Sequence, residues 1–177
     1  ALVLGPRGLF LLEIKSRPGE VRGDPHTWVW KTDGREVTRD NPLLLTDRKS
    51  KRLASILRRQ PAIMKAKVRL PFIEPLVFLS ASTIRCSLEG RARAGVCTRG
   101  RPGHPEDDGV VATLARGGRN SDPMSIDSAQ IRAISKAMSE AGIRPSNKHR
   151  TVGPYRLQKL IAEGEGYQDW LGQHESV

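Results

Sequence analysis

The pattern of hydrophobic and polar positions predicts a β-hairpin at the start of the chain. ALVL at residues 1–4 and LFLLEIK at residues 9–15 are short apolar runs, and GPRG separates them. Pro6 suits the second position of a tight turn, and the flanking glycines permit the reversal of the chain. We therefore expect two antiparallel strands within residues 1–15.

Two later runs predict further strands. TWVWKT at residues 27–32 is rich in aromatic and β-branched side chains, and Asp33-Gly34 forms a typical turn into REVT. PLVFLSAS at residues 75–82 is another apolar run. Trp28 and Trp30 share one face of their strand, where they could stack on nucleic-acid bases. We favour packing in the core, because these large rings bury much apolar surface.

A helix is expected from residue 42 to about residue 59, before Pro61. Asn41 can cap its N-terminus, and Pro42 suits the first helical position. The predicted apolar side consists of Leu45, Leu53, Ile56 and Leu57. The opposite side is basic and carries Arg48, Lys49, Lys51, Arg52, Arg58 and Arg59.

A second helix is expected to begin at Asp127, because Gln130 stands where a capping box requires it. Gly142 should end this helix. Its predicted buried stripe consists of Ile131, Ile134 and Met138. Between the two helices, residues 84–121 are rich in Arg and Gly without sustained periodicity. They predict a basic, loop-rich insertion with a short strand near GVVATLA.

The order of these elements predicts an α/β (α+β) fold, in which a mixed β-sheet is flanked by helices. Residues 1–142 would form one domain, residues 143–153 a linker, and residues 154–177 the start of another domain. The chain opens within strand-like residues, which predicts that it is a piece of a longer protein.

The balance of charge points to a polyanionic partner. Lys and Arg number 30 against 19 Asp and Glu, so the net charge is +11. Nucleic acid is the first candidate and an anionic membrane surface the second, although a basic bias of the whole genome would give the same excess. No apolar run approaches the ~18–20 residues of a membrane span. Cys86 and Cys97 lack the spacing of a disulfide framework or zinc site, so we expect a reduced, cytoplasmic setting.

Glu13 and Lys15 stand together at the end of the second predicted strand. Because strand side chains alternate, both project to one face, and Phe10, Leu12 and Ile14 project to the other. An exposed ion pair of little energetic value is the simplest interpretation, since the E-x-K triplet is short and common.

The register of the hairpin suggests a second interpretation. The turn pairs Ala1 with Leu12, so the position opposite Glu13 is one residue before Ala1. A carboxylate there would form with Glu13 a site for a divalent metal ion, which prefers oxygen ligands. Lys15 would then orient or deprotonate the attacking water. A β-bulge would shift this register by one residue.

The ordered motifs of the first 80 residues resemble a known family. LGPRGLFLLEIKSRPGEVRGD at residues 4–24, then Trp28 or Trp30, then NPLLL at 41–45 resemble the nuclease-related domain NERD of the PD-(D/E)xK superfamily. The resemblance implies that Glu13 is a catalytic metal ligand, that Lys15 is the catalytic lysine, and that Mg²⁺ or Mn²⁺ is the cofactor. The first acidic residue of the family signature lies outside this chain.

The last residues resemble a different family. PYRLQKLIAEGEGYQDWLGQH at residues 154–174 is similar to the first strand and glycine-rich phosphate loop of a protein kinase. Gly164 and Gly166 would be the nucleotide-binding residues, with ATP bound only in a longer protein. Ala162 and Tyr167 depart from the glycine pattern. NERD followed by a serine/threonine kinase is the layout of PglW-type phage-defence (phage growth limitation, BREX-like) proteins, so other components of such a system are possible partners.

DNA is the partner that the basic residues favour. The predicted DNA-binding residues are Arg48, Lys49, Lys51, Arg52, Arg91 and Arg93. Phosphate contacts by these residues would be independent of base sequence and sensitive to salt. A solvated helix face would show the same pattern. Three classes of function therefore stay open: a DNA-binding, metal-dependent nuclease, a non-catalytic docking module of a kinase, and a structural basic domain.

Overall fold

A computed structural model describes residues 1–100, 109–117, 126–143, 151–152, 155–164 and 167–174. The chain divides into two compact units, Ala1–Gly142 and Ile143–Val177. The strands of the first unit are β1 (Leu2–Gly5), β2 (Gly8–Lys15), β3 (Glu20–Gly23), β4 (Thr27–Thr32), β5 (Arg35–Asp40), β6 (Ile73–Leu79), β7 (Arg85–Leu88) and β8 (Val96–Cys97). Its helices are α1 (Pro42–Arg58), α2 (Pro61–Ala66), α3 (Gly90–Arg93), α4 (Val110–Arg116) and α5 (Ser128–Glu140).

The described part of the first unit forms two mixed four-stranded sheets. Sheet A has the strand order β1-β2-β6-β8, and sheet B has the order β5-β4-β3-β7. In sheet A, β1 is antiparallel to β2, whereas β6 and β8 continue the sheet in parallel. Mixed sheets flanked by helices are the fold class that the sequence predicted, and this prediction is confirmed. The short strand β3 was not predicted, because its four residues carry little pattern.

The hairpin of β1 and β2 has the predicted register. Leu2 pairs with Leu11 and Leu4 with Leu9. Ala1 and Leu12 exchange two backbone hydrogen bonds, of 2.6 and 2.7 Å. The Asp33-Gly34 turn between β4 and β5 is also confirmed. Both of its residues have positive φ angles, 50° and 75°, as a type I′ turn requires.

Among the described residues of the first unit, three apolar clusters form the core. Helices α1, α2 and α5 cover one face of sheet A, where Leu9 of β2 packs with Leu57 and Ile134. Helix α4 covers part of the opposite face, around Phe10 and Leu12. The third cluster joins sheet B to β6 and consists of Val21, Trp28, Trp30, Val77, Leu79, Ile84, Leu88 and Ala92. Trp28 and Trp30 are therefore core residues, with ring centroids 6.2 Å apart.

Helix α1 begins and ends where the sequence predicts, but its buried stripe differs. The side-chain oxygen of Asn41 accepts a hydrogen bond of 2.9 Å from the backbone of Leu43 and caps the helix. Leu45, predicted to be buried, is 54% exposed. Thr46 and Ser50 are buried instead, because their hydroxyls donate to carbonyls of their own helix and so need no outside partner.

Helix α5 matches its prediction closely. Asp127 accepts a 2.7 Å hydrogen bond from the backbone of Gln130, and the Gln130 side chain accepts a 3.0 Å bond in return. Ile134 is fully buried, and Ile131 and Met138 pack at its edges. The capping box is local, which is why the sequence revealed it.

The described part of the segment 84–121 contains more regular structure than predicted. The prediction of a short strand near GVVATLA is wrong, because Val110–Arg116 forms a helix. The described part of the segment forms β7, α3, β8 and α4, whereas 101–108 and 118–121 lie outside the described residues. Val110 and Leu114, one helical turn apart, pack against the cluster of Phe10 and Leu12. The burial of apolar surface on this face of sheet A outweighs the intrinsic preference of Val110 and Val111 for a strand.

The second unit is a small antiparallel sheet. Its strands are β9 (Thr151–Val152), β10 (Tyr155–Gly164) and β11 (Tyr167–His174), in the order β11-β10-β9. Two register shifts interrupt the pairing of β10 with β11. Most of the predicted linker, residues 144–150 and 153, lies outside the described residues. Across the described part of the chain, no helix is long and apolar enough to cross a membrane.

Candidate nucleic-acid interface and nuclease-like site

Three charged side chains meet where β2 ends beside α1. Strand alternation brings Glu13 and Lys15 to one face, and the Lys15 Nζ atom lies 2.9 Å from Glu13 Oε1. Helix α1 adds Lys49, whose Nζ atom lies 3.3 Å from Glu13 Oε2. We refer to Glu13, Lys15 and Lys49 as the Glu13 cluster. Sequence reasoning placed Lys49 on the basic helix side and missed this contact, because it joins elements distant in the chain.

The electrostatics of the Glu13 cluster favour a charged carboxylate. The hydrogen bond from Lys15 lowers the pKa of Glu13 below its ordinary value, which outweighs the opposing effect of partial burial. Lys49 lowers the pKa further. One carboxylate and two ammonium groups leave the cluster with a net positive charge. The side chains of Lys15 and Lys49 are 37% and 51% exposed, so both cations are accessible to an anion from solvent.

The residues around Glu13 do not by themselves make a metal site. On β6 its neighbour is Val77, and on β1 the opposite position lies one residue before Ala1. Glu74 pairs with Phe10 and therefore projects from the other face of sheet A. Within the described ranges, no group of three His, Cys, Asp or Glu residues could hold a metal ion. Both oxygens of Glu13 are bonded to lysines, so a divalent ion would need further carboxylates.

The basic residues predicted on α1 lie on its exposed side. Arg48, Lys49, Lys51, Arg52 and Arg58 are all exposed, opposite the buried stripe. The Lys51 Nζ atom lies 2.7 Å from the Asp47 carboxylate one turn earlier. The exposed side of α1 is therefore a basic surface that extends from the Glu13 cluster around the helix.

The two arginines predicted on α3 have different surroundings. Arg91 is exposed, whereas Arg93 is half-buried and donates a hydrogen bond to the carbonyl of Val96. Ala92, between them, packs in the same cluster as Leu43 of α1. Arg91 therefore remains a candidate phosphate contact near the first turn of α1, and Arg93 is engaged within the fold.

Of the two predicted nucleotide-binding glycines, Gly164 lies within the described residues. Gly164 ends β10 and pairs with Tyr167 of β11. Gly166 lies outside the described residues. The described backbone is thus an antiparallel hairpin, and the kinase-like loop within it stays a prediction.

Comparisons with known proteins match this chain to one family model and to a curated relative. Residues 1–80 match the model of the nuclease-related domain family, NERD, and this part of the chain belongs to that family. A curated protein similar to this chain is the probable kinase PglW of Streptomyces coelicolor, which is 30% identical to it over 178 aligned residues. The match covers 99% of this chain and 10% of that protein, so the chain spans about a tenth of the relative's length. No solved structure gives a significant match.

Proposed function

We propose that the first unit binds DNA through the Glu13 cluster and the basic side of α1. The observation that carries this proposal is the contact of Lys49 with Glu13, because it joins the E-x-K strand end to the basic helix. We further propose that the parent protein places this domain before a serine/threonine kinase in a phage-defence system. The similarity to the probable kinase PglW supports that layout. ATP would then bind at Gly164 and Gly166 only in the longer protein.

Phosphate binding at the Glu13 cluster requires no metal ion. Exposed ion pairs contribute only about 0–1 kcal/mol each, so Lys15 and Lys49 can turn from Glu13 toward a phosphodiester at little cost. Arg48 and Arg52 on the same helix extend the positive surface along the nucleic-acid backbone. Contacts of this kind position the backbone and do not read the bases.

Hydrolysis of the bound strand belongs to our proposal only for a longer chain. The position opposite Glu13, one residue before Ala1, would have to carry a carboxylate, and Mg²⁺ or Mn²⁺ would then be the cofactor. Lys15 would act as the catalytic lysine. A non-catalytic docking module for the kinase is the second candidate function. The two lysines bonded to both oxygens of Glu13 favour it, since they occupy the atoms that a metal ion would use.

Fluorescence anisotropy with a labelled DNA duplex tests the binding proposal on the chain of residues 1–177. With about six phosphate contacts, affinity should fall by roughly 10³-fold between 50 and 200 mM salt. Lys49→Gln should reduce the slope of log affinity against log salt by about one contact. Arg39→Gln, which removes an exposed charge on β5, is the matched control and should have a smaller effect. A salt-independent affinity would contradict the phosphate contacts.

Plasmid nicking tests the catalytic proposal. An N-terminally extended protein with Asp or Glu before Ala1 should nick supercoiled plasmid in Mg²⁺ or Mn²⁺, and Lys15→Ala should abolish the activity. Activity that persists in Lys15→Ala would reject the assignment of the lysine. No nicking by an extended protein that still binds DNA would favour the docking module.

A further inference from the structure

A small cavity opens on the flank of α1 that faces away from the Glu13 cluster. It has a volume of about 120 Å³ and is lined by Ser50, Lys51, Ala54, Arg58, Pro71, Phe72 and Ile73. We call it the Phe72 cavity. At ~100° per residue, Arg58 lies about 180° around the helix from Lys49. Ile73 also precedes Val77, the β6 neighbour of Glu13, by four residues, or roughly 13 Å of strand. The two sites are therefore separate.

The cavity combines an aromatic ring with two cations. Phe72 is 47% exposed, although Leu70 and Ile73 on either side of it are buried at 7% and 2% exposure. The buried neighbours anchor the segment and leave the ring at the surface. Lys51 and Arg58 border the same opening from α1. Arg58 makes no hydrogen bond or ion pair with any residue in the described part of the chain, and within that part Lys51 pairs only with the half-buried Asp47.

The size of the cavity restricts its ligand. Pockets for drug-sized molecules usually measure ~300–1,000 Å³, so this cavity is too small to enclose a molecule of that size. It can accept part of a longer polymer that is held elsewhere on the surface. An exposed aromatic ring beside cations suits a nucleotide, whose base stacks on the ring while its phosphate meets the positive charges.

We propose that the Phe72 cavity binds one nucleotide of a single-stranded nucleic acid. The base stacks on Phe72, and the adjacent phosphates contact Arg58 and Lys51. Single strands are favoured over duplexes, because both faces of a base inside a duplex are already stacked. This inference rests on the proposed DNA binding, since the basic side of α1 would hold the rest of the strand.

Anisotropy with a fluorescein-labelled oligo-dT strand and with a labelled duplex tests this proposal on residues 1–177. Phe72→Ala and Phe72→Leu should each weaken single-strand binding by roughly 5- to 100-fold, because both remove the aromatic face. Duplex binding should change less than about 2-fold, since its bases are not free to stack. Met64→Ala, at another exposed apolar side chain of the same unit, is the control and should leave both affinities unchanged.

A second pair of variants tests the cations. Arg58→Gln should weaken single-strand binding more than Arg59→Gln, because Arg59 is the neighbouring residue but does not line the cavity. Equal losses for the single strand and the duplex, or no loss with either Phe72 variant, would overturn the cavity proposal while DNA binding stands. Failure of the wild-type protein to bind any nucleic acid would overturn both proposals. These outcomes separate the two ideas.

Discussion

The two flanks of α1 carry the same charge but have different neighbours. On one flank, Lys49 contacts the carboxylate of Glu13, 3.3 Å away, and joins Lys15 at the end of β2. On the other flank, Lys51 and Arg58 border a cavity with the exposed ring of Phe72. The first arrangement suits a phosphodiester backbone, and the second suits an unstacked base. A basic helix therefore presents two chemically distinct surfaces, set by the strands that flank it.

The largest expected effect concerns the packing of α1 against sheet A, on which both flanks of the helix depend. Leu57 is fully buried between α1 and sheet A, so Leu57→Ala should lower the free energy of unfolding by about 2–5 kcal/mol. Leu45→Ala, at a position that is 54% exposed, should change it by less than about 0.5 kcal/mol. Urea denaturation followed by circular dichroism measures both. Similar losses for the two variants would mean that α1 buries a different face.

A medium effect should distinguish a phosphate site from a metal site at Glu13. Glu13→Gln removes the negative charge between Lys15 and Lys49, so duplex binding by residues 1–177 without metal should strengthen by roughly 3- to 10-fold at low salt. Glu36→Gln makes the same change of net charge at a distant ion pair with Arg22 and serves as control. An equal gain in duplex affinity for both variants would mean that the change of net charge alone explains the effect. Weaker binding by Glu13→Gln would contradict the phosphate site.

The smallest expected effect is a pH dependence of stability. Lys15 and Lys49 lower the pKa of Glu13 in the folded protein. Their contribution to the free energy of unfolding is therefore fully present above the ordinary pKa of the carboxyl group. This stabilisation is lost as the pH falls through the lowered pKa of Glu13. The free energies of unfolding of wild type and Glu13→Gln should therefore differ by less than about 1 kcal/mol at neutral pH and converge in acid, below the lowered pKa of Glu13. Urea titrations at neutral and at acid pH measure this difference in the free energy of unfolding. A difference that grows in acid would contradict the stabilising ion pairs.

Local signals in the sequence determined the hairpin register, the start of α1 and the capping box of α5. In each case the deciding residues are neighbours: Pro6 and its glycines in the turn, Asn41 beside Leu43, and Asp127 three residues before Gln130. Hydrogen bonds and allowed backbone angles over such short spans depend little on the rest of the molecule. The NERD resemblance also followed from ordered motifs along the chain.

Only the tertiary structure decided which surfaces these elements share. The contact of Lys49 with Glu13 spans 36 residues, and the Phe72 cavity joins α1 to the start of β6. The helix at Val110–Arg116 and the exposure of Leu45 likewise depend on which face of sheet A needed covering. Such choices minimise exposed apolar area over the whole first unit, and no short stretch of sequence contains that information.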